Sequence, residues 1–164
     1  MIVLDASSLI LLAKCDLLPL LAEKTPLAIP LEVEREALAK PELYDAQVIA
    51  SMIADKRVQV MKLAHEQHCK QVQIDFGIEA GEAEALLLAK EKNVPIATDD
   101  WPAIKGAKIM GIPFVTAMNV LIELRRKNRL SAESALSKLD KLESVGRYHI
   151  RIVEDARERL RGTR

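Results

Sequence analysis

The chain has 164 residues, 49% of them hydrophobic, which is enough apolar material for one domain with a sizeable core. Charged residues make up 29%, so a disordered or fibrous protein is excluded, and the 24 basic and 24 acidic side chains cancel. The balance is uneven: residues 1–124 carry 12 Lys/Arg against 18 Asp/Glu, and residues 125–164 carry 12 against 6, so an acidic body meets a basic tail.

Met1–Leu4 is the first of five short aliphatic runs and reads as a strand, with no room ahead of it for a signal peptide. The helical pattern over 7–18 belongs to an apolar stretch broken by Lys14, Asp16 and Pro19, too interrupted to span a bilayer. Leu27–Ile29 predicts a second strand, followed by helices over 31–40 and 43–56, and Val58–Met61 predicts a third. His65-Glu66-Gln67-His68 falls one residue short of the spacing that lets two helical histidines share zinc. Beside Cys69 it reads as a surface helix or turn. A helix over 80–92, a strand at Val94–Ala97, a helix over 102–110 and a strand at Ile112–Val115 complete the alternation.

From Thr116 onward the pattern is helical, over 117–127, 131–144 and 152–161. Ser131 with Ser134 supplies the N-cap of the middle helix and Gly146 its stop. Strands alternating with helices imply βαβ units and a mainly parallel sheet. The expectation is one α/β domain over residues 1–164, with a core over 1–116 and a C-terminal helical extension over 117–164. Cys15 and Cys69 are too few and too dispersed for a disulfide framework and read as reduced thiols in a cytoplasmic protein.

Ligands in an open parallel sheet gather at the carboxyl ends of the strands, so the residues that leave each strand matter most. Asp5 follows the first strand, and Thr98, Asp99 and Asp100 follow the fourth. Asp5 and Asp99 are also good helix caps, which is their ordinary reading. Glu82 shares a helical face with Ala85, Leu86 and Ala89, whereas Glu84 points toward Leu88 and Glu91 on the wetter side. A carboxylate on an apolar stripe needs a partner, and no Lys or Arg lies there. A divalent ion shared with Asp5 and Asp100 would satisfy all three acids, while the bland alternative is a first-turn Glu on the helix dipole. Glu32, Glu34 and Glu36 alternate after Pro30, and periodicity favours Glu34. Clustered carboxylates point to Mg²⁺ or Mn²⁺ rather than zinc, and to metal-dependent phosphodiester hydrolysis. No glycine-rich phosphate loop is present.

Four ordered motifs across residues 1–116 resemble the PIN-domain family of ribonucleases, and more loosely the VapC-type toxins of toxin–antitoxin pairs. They are Val3-Leu4-Asp5-Ala6-Ser7-Ser8-Leu9-Ile10, Pro30 followed by Glu36, Gly81-Glu82-Ala83-Glu84-Ala85, and Thr98-Asp99-Asp100. The resemblance implies a three-layer α/β/α domain, Mg²⁺ or Mn²⁺ at the acids, and single-strand-specific endoribonuclease activity. It further implies a homodimer and, for the toxins, an antitoxin partner. Carried over singly, Asp5, Glu36, Glu82 and Asp100 form the catalytic site. Metal falls to Asp5, Glu82 and Asp100, with Asp99 as fallback ligand or helix cap. Ser7 and Thr98 are hydroxyls that hold the carboxylates. Motif spacing selects Glu36 over Glu34.

The chain departs from the pattern at Ile104, where many relatives carry a basic residue, and in its helical extension. The departure at Ile104 keeps open a catalytically silent module that binds nucleic acid or protein, and the extension bears on the toxin role more than on the nuclease chemistry. In the basic tail, Arg125, Arg126, Lys127, Arg129, Arg157, Arg159, Arg161 and Arg164 either follow an RNA backbone or form solvated faces. Solvation is favoured, with Glu154–Arg157 and Glu158–Arg161 pairs and no aromatic platform beside the charges.

Overall fold

The computed structural model describes residues 1–162, so Arg164 of the basic tail lies outside the described residues. Five parallel strands form one sheet in the order β3-β2-β1-β4-β5. They are β1 (Ile2–Leu4), β2 (Leu27–Pro30), β3 (Val58–Met61), β4 (Ile96–Ala97) and β5 (Phe114–Val115). All five expected strands are present. The fourth and fifth each start two residues later than the aliphatic run that announced them, because Pro95 and Pro113 donate no ladder hydrogen bond. β1 is the middle strand, pairing Val3 with both Ala28 and Ile96, and its last two residues are fully buried.

Helices cover both faces of the sheet, giving three layers. α1 (Ala6–Lys14), α4 (Tyr44–Ala54) and α8 (Ala117–Arg126) pack together on one face. α5 (Cys69–Phe76), α6 (Ala80–Lys92) and α7 (Trp101–Met110) pack on the other. Right-handed crossovers require that division, since the chain moves outward one way through β2 and β3 and the other way through β4 and β5. α3 (Leu31–Ala37) bridges α1 and α6 beyond the end of β2. The extension folds back as α9 (Ala132–Val145) and α10 (Ile150–Gly162), which pack on each other and on α8. Ser131 caps α9 by accepting from the Ser134 N–H at 3.0 Å, and Gly146 ends it, both as read from the sequence.

Three differences from the sequence reading have clear causes. The helix expected over 7–18 is split into α1 and α2 (Leu18–Ala22), because Asp16 takes a positive φ of 54° and Pro19 starts a new first turn. The surface turn expected at His65–His68 is a short 3₁₀ stretch, but it runs on into α5, a helix the sequence reading omitted although Cys69, Val72 and Phe76, at spacings of three and four, form its half-buried apolar stripe. The Glu154–Arg157 and Glu158–Arg161 pairs do not form among the described residues. Arg157 instead reaches across to Asp140 and Glu143 of α9, a contact between helices that i, i+3 spacing cannot foresee.

α6 is the pillar of its layer. Ala83, Ala85, Leu86, Leu88 and Ala89 are all fully buried, so the helix is enclosed almost all round by the sheet and by its neighbours α3, α5 and α7. Leu86 lies beneath Gly106 of α7. Leu86→Ala would leave a cavity at that junction and is expected to cost about 3 kcal/mol, read as a lower urea midpoint at unchanged slope.

Candidate active site

Strand order reverses between β1 and β4: the chain proceeds from β1 outward to β3, then returns to the opposite side of β1. The crevice outside the carboxyl ends of two such strands is where open parallel sheets bind ligands. Asp5 leaves β1 there, and Thr98, Asp99 and Asp100 leave β4. The Asp5 N–H donates to the Ala97 carbonyl at 3.2 Å, so the two strand ends are joined.

Asp5 is completely buried. Its Oδ1 caps α1 by accepting from the Ser8 N–H at 2.8 Å and also accepts from the Ser7 hydroxyl at 3.1 Å. Its Oδ2, equally enclosed, has no hydrogen-bond partner. Burial pushes the carboxyl up to about 6, against the lowering influence of the Thr98 hydroxyl and the Ser8 and Ser7 groups. Of these the Thr98 hydroxyl has the largest lowering influence. It accepts from the Asp100 N–H at 3.3 Å.

Asp100 caps α7, its Oδ2 accepting from the Ala103 N–H at 3.0 Å. Glu82 folds back on its own helix, its Oε2 accepting from the Glu79 N–H at 3.0 Å. Burial pushes Glu82 up to about 7, and the charges of Asp100 and Asp5 add to the effect, so the three acids face one electrostatic neighbourhood. Each spends one oxygen on a helix N-terminus. No hydrogen bond among the described residues reaches the other oxygen: Asp5 Oδ2, Glu82 Oε1 or Asp100 Oδ1.

Glu36 comes to the same region from α3. Its Oε1 accepts from the Gly81 N–H at 3.2 Å. A Cβ at position 81 would stand 2.6 Å from that oxygen, so only glycine admits the carboxylate. Burial raises the Glu36 pKa, with the charges of Glu32, Glu79 and Asp5 contributing. Glu34 makes no side-chain hydrogen bond or ion pair among the described residues, so α3 turns Glu36 toward the acids. Glu84 departs from its expected wet environment. It accepts from the Glu32 N–H at 3.1 Å at the start of α3, because the face it shares with fully buried Leu88 is interior.

Asp99 stands apart from this group. Its Oδ2 accepts from the Ser8 hydroxyl at 3.0 Å and from the Ala117 N–H of α8 at 2.9 Å, and its Oδ1 accepts from the Tyr148 hydroxyl at 2.8 Å. Both oxygens are committed, so it joins β4 to α1, to α8 and to the extension. It does cap a helix, but α8 rather than the one that follows it. Tyr148 was missed by sequence reasoning. The available signal was an aromatic residue two positions past the stop glycine in a chain where aromatics make up 3%. A cleft of about 640 Å³ opens beside Asp99, Asp100 and Glu82, walled by α1, α7 and the 145–148 segment.

The donor set fits a hard divalent ion in kind, since every candidate ligand is a carboxylate oxygen and each of Asp5, Glu82 and Asp100 keeps one oxygen spare. As folded, no three His, Cys, Asp or Glu residues among the described residues converge closely enough to hold an ion between them. Glu82 is engaged by the Glu79 N–H in this arrangement.

A family model for the PIN domain matches residues 1–160, and the chain belongs to that family. Searches among curated proteins and among solved structures gave no match. PIN domains are in general metal-dependent nucleases acting on nucleic acids, and membership suggests a nuclease-type function. No helix among the described residues is long and apolar enough to cross a membrane.

A carboxylate whose pKa is raised by folding weakens the folded state as pH climbs from its ordinary value to its raised one. Asp5 therefore lowers metal-free stability between pH 4 and 6, and Glu82 extends the decline to pH 7. Asp5→Asn keeps the cap on α1 and removes the buried charge. It is expected to gain about 2 kcal/mol at pH 8 in EDTA and to flatten the pH profile, measured by urea denaturation.

Proposed function

We propose that the protein is a metal-dependent endoribonuclease that cleaves single-stranded RNA with water as nucleophile. On this reading it is the toxin of a type II toxin–antitoxin pair and works as a cytoplasmic homodimer. The observation that carries the nuclease reading is the bare, fully buried Asp5 Oδ2 at the strand-order reversal. Leaving a buried carboxylate oxygen without a partner is costly, and a cation would relieve it.

Asp5, Glu82 and Asp100 would hold Mg²⁺ or Mn²⁺. When bound, the ion neutralises charge on the phosphoryl oxygens and makes water a stronger nucleophile. Glu82 turns from the Glu79 N–H to complete the set. Ser7 and the Ser8 N–H keep Asp5 Oδ1 fixed, which would leave Oδ2 to hold the ion, and Thr98 restrains Asp100 through its backbone. Glu36, held by the Gly81 N–H and raised in pKa, is the group that accepts a proton from the attacking water.

A catalytically silent module that binds RNA or protein is the second reading. It draws on Glu82, which as folded serves its own helix rather than a shared ion. Mn²⁺ binding followed by calorimetry separates the two, since the silent module takes up none at the strand ends.

For the nuclease, a mixed panel of single-stranded RNAs is cut in Mn²⁺ or Mg²⁺, cutting stops in EDTA, and Asp5→Asn abolishes it in a protein that still folds. Full activity in folded Asp5→Asn would overturn the assignment. Gly81→Ala gives a sharper outcome, because alanine favours the helix by about 1 kcal/mol while its methyl group expels the Glu36 carboxylate. Stability is expected to hold or rise while the cleavage rate falls at least tenfold.

A further inference from the structure

The cleft beside the carboxylates is lined by more than acids. Lys14 at the end of α1, Arg147 between α9 and α10, and Trp101 at the start of α7 all face it. Neither the Lys14 nor the Arg147 side chain has a hydrogen bond or ion pair among the described residues. Much of the basic tail, by contrast, is already neutralised: Arg126 and Lys127 by Glu123, Arg129 by Glu23, Arg157 by Asp140 and Glu143, and Arg159 by Asp155.

Arg147 is carried to the cleft by anchored neighbours. A Cβ on Gly146 would stand 2.4 Å from the Tyr148 ring, so the glycine lets that ring fold back, and its hydroxyl is fixed to Asp99. Trp101 directly follows the capping Asp100 and is 69% exposed, an unusual cost for the largest apolar side chain. Lys108 Nζ lies 5.4 Å from the indole centroid, which steadies the ring. α7 itself offers the cleft no cation, because the positions lining it are Trp101 and buried Ile104.

A cluster of carboxylates repels a polyanion, so a substrate of that charge needs cations at the rim of the site. We infer that Lys14, Arg147 and Trp101 form the substrate track: the two cations engage phosphates flanking the scissile bond, and the indole stacks on a neighbouring base of single-stranded RNA. A paired duplex hides its base faces from such a platform, so the track selects unpaired RNA. The inference rests on the nuclease reading and adds where its substrate lies.

The test is fluorescence anisotropy with a labelled, mixed-sequence single-stranded RNA across a salt series. It is carried out in full-length Asp5→Asn protein so that the RNA stays intact. Adding Lys14→Ala or Arg147→Ala is expected to weaken binding and to reduce the log–log salt slope by about 0.7 each, one phosphate's worth. Trp101→Ala weakens binding about tenfold and leaves the slope unchanged. Tyr148→Phe keeps the ring but frees it from Asp99, and shifts affinity in the direction of Arg147→Ala. Lys92→Ala, at the far end of α6, changes nothing. RNA binding that is absent, or unmoved by all three cleft substitutions, overturns the track. RNA cleavage by the wild-type protein then decides separately whether the nuclease reading survives.

Discussion

A single buried carboxylate organises this protein. Asp5 ends the central strand of a five-stranded parallel sheet, has no exposure to solvent, and has one oxygen that nothing in the fold satisfies. Water would satisfy that oxygen at the surface, and burial removes the water. The surrounding structure then reads as a set of partial compensations: the cap from Ser8, the hydroxyl of Ser7, the nearby hydroxyl of Thr98. None is a counter-charge. Interior carboxylates without a counter-charge are poor stability devices, and the proposed function gives this one a use as a ligand for a cation.

The acids around Asp5 are arranged by helix ends. Asp5, Asp100 and Glu82 each give one oxygen to the first turn of α1, α7 and α6, and Glu36 lies against the first turn of α6 from another helix. N–H groups at helix starts favour negative charge, which lets so many carboxylates gather with no lysine or arginine among them. Capping and chemistry are thus not alternatives here. The same residue does the first with one oxygen and leaves the second free.

Much of this was legible in the sequence, because the signals are local. All five strands were marked by aliphatic runs, and Asp5 and Asp100 follow strands that topology places side by side. Ser131 and Gly146 delimited α9 through ordinary capping chemistry. What was illegible depends on neighbours. Glu84 looked wet because Leu88 and Glu91 alone do not reveal that α6 is enclosed on nearly every side. α5 carries only a short, half-buried stripe of Cys69, Val72 and Phe76 in an otherwise polar stretch, too brief to stand out. Periodicity favoured Glu34 and motif spacing Glu36, but neither reveals the contact that Glu36 makes with Gly81, forty-five residues away, whose missing side chain makes room for the carboxylate. The bond between Tyr148 and Asp99 is equally invisible, since no sequence rule pairs a tail tyrosine with a strand end.

That last bond has a thermodynamic consequence. Asp99 is shared by α1, α8 and Tyr148, so the sheet's active edge and the C-terminal helices are parts of one cooperative unit. An opening that lifted α9 and α10 away would break the tether at the wall of the cleft, and anything filling the cleft would oppose it. Occupancy of the site is therefore written into the amide-exchange protection of a helix that touches none of the carboxylates, and the extension acts as the domain's own reporter of what it holds.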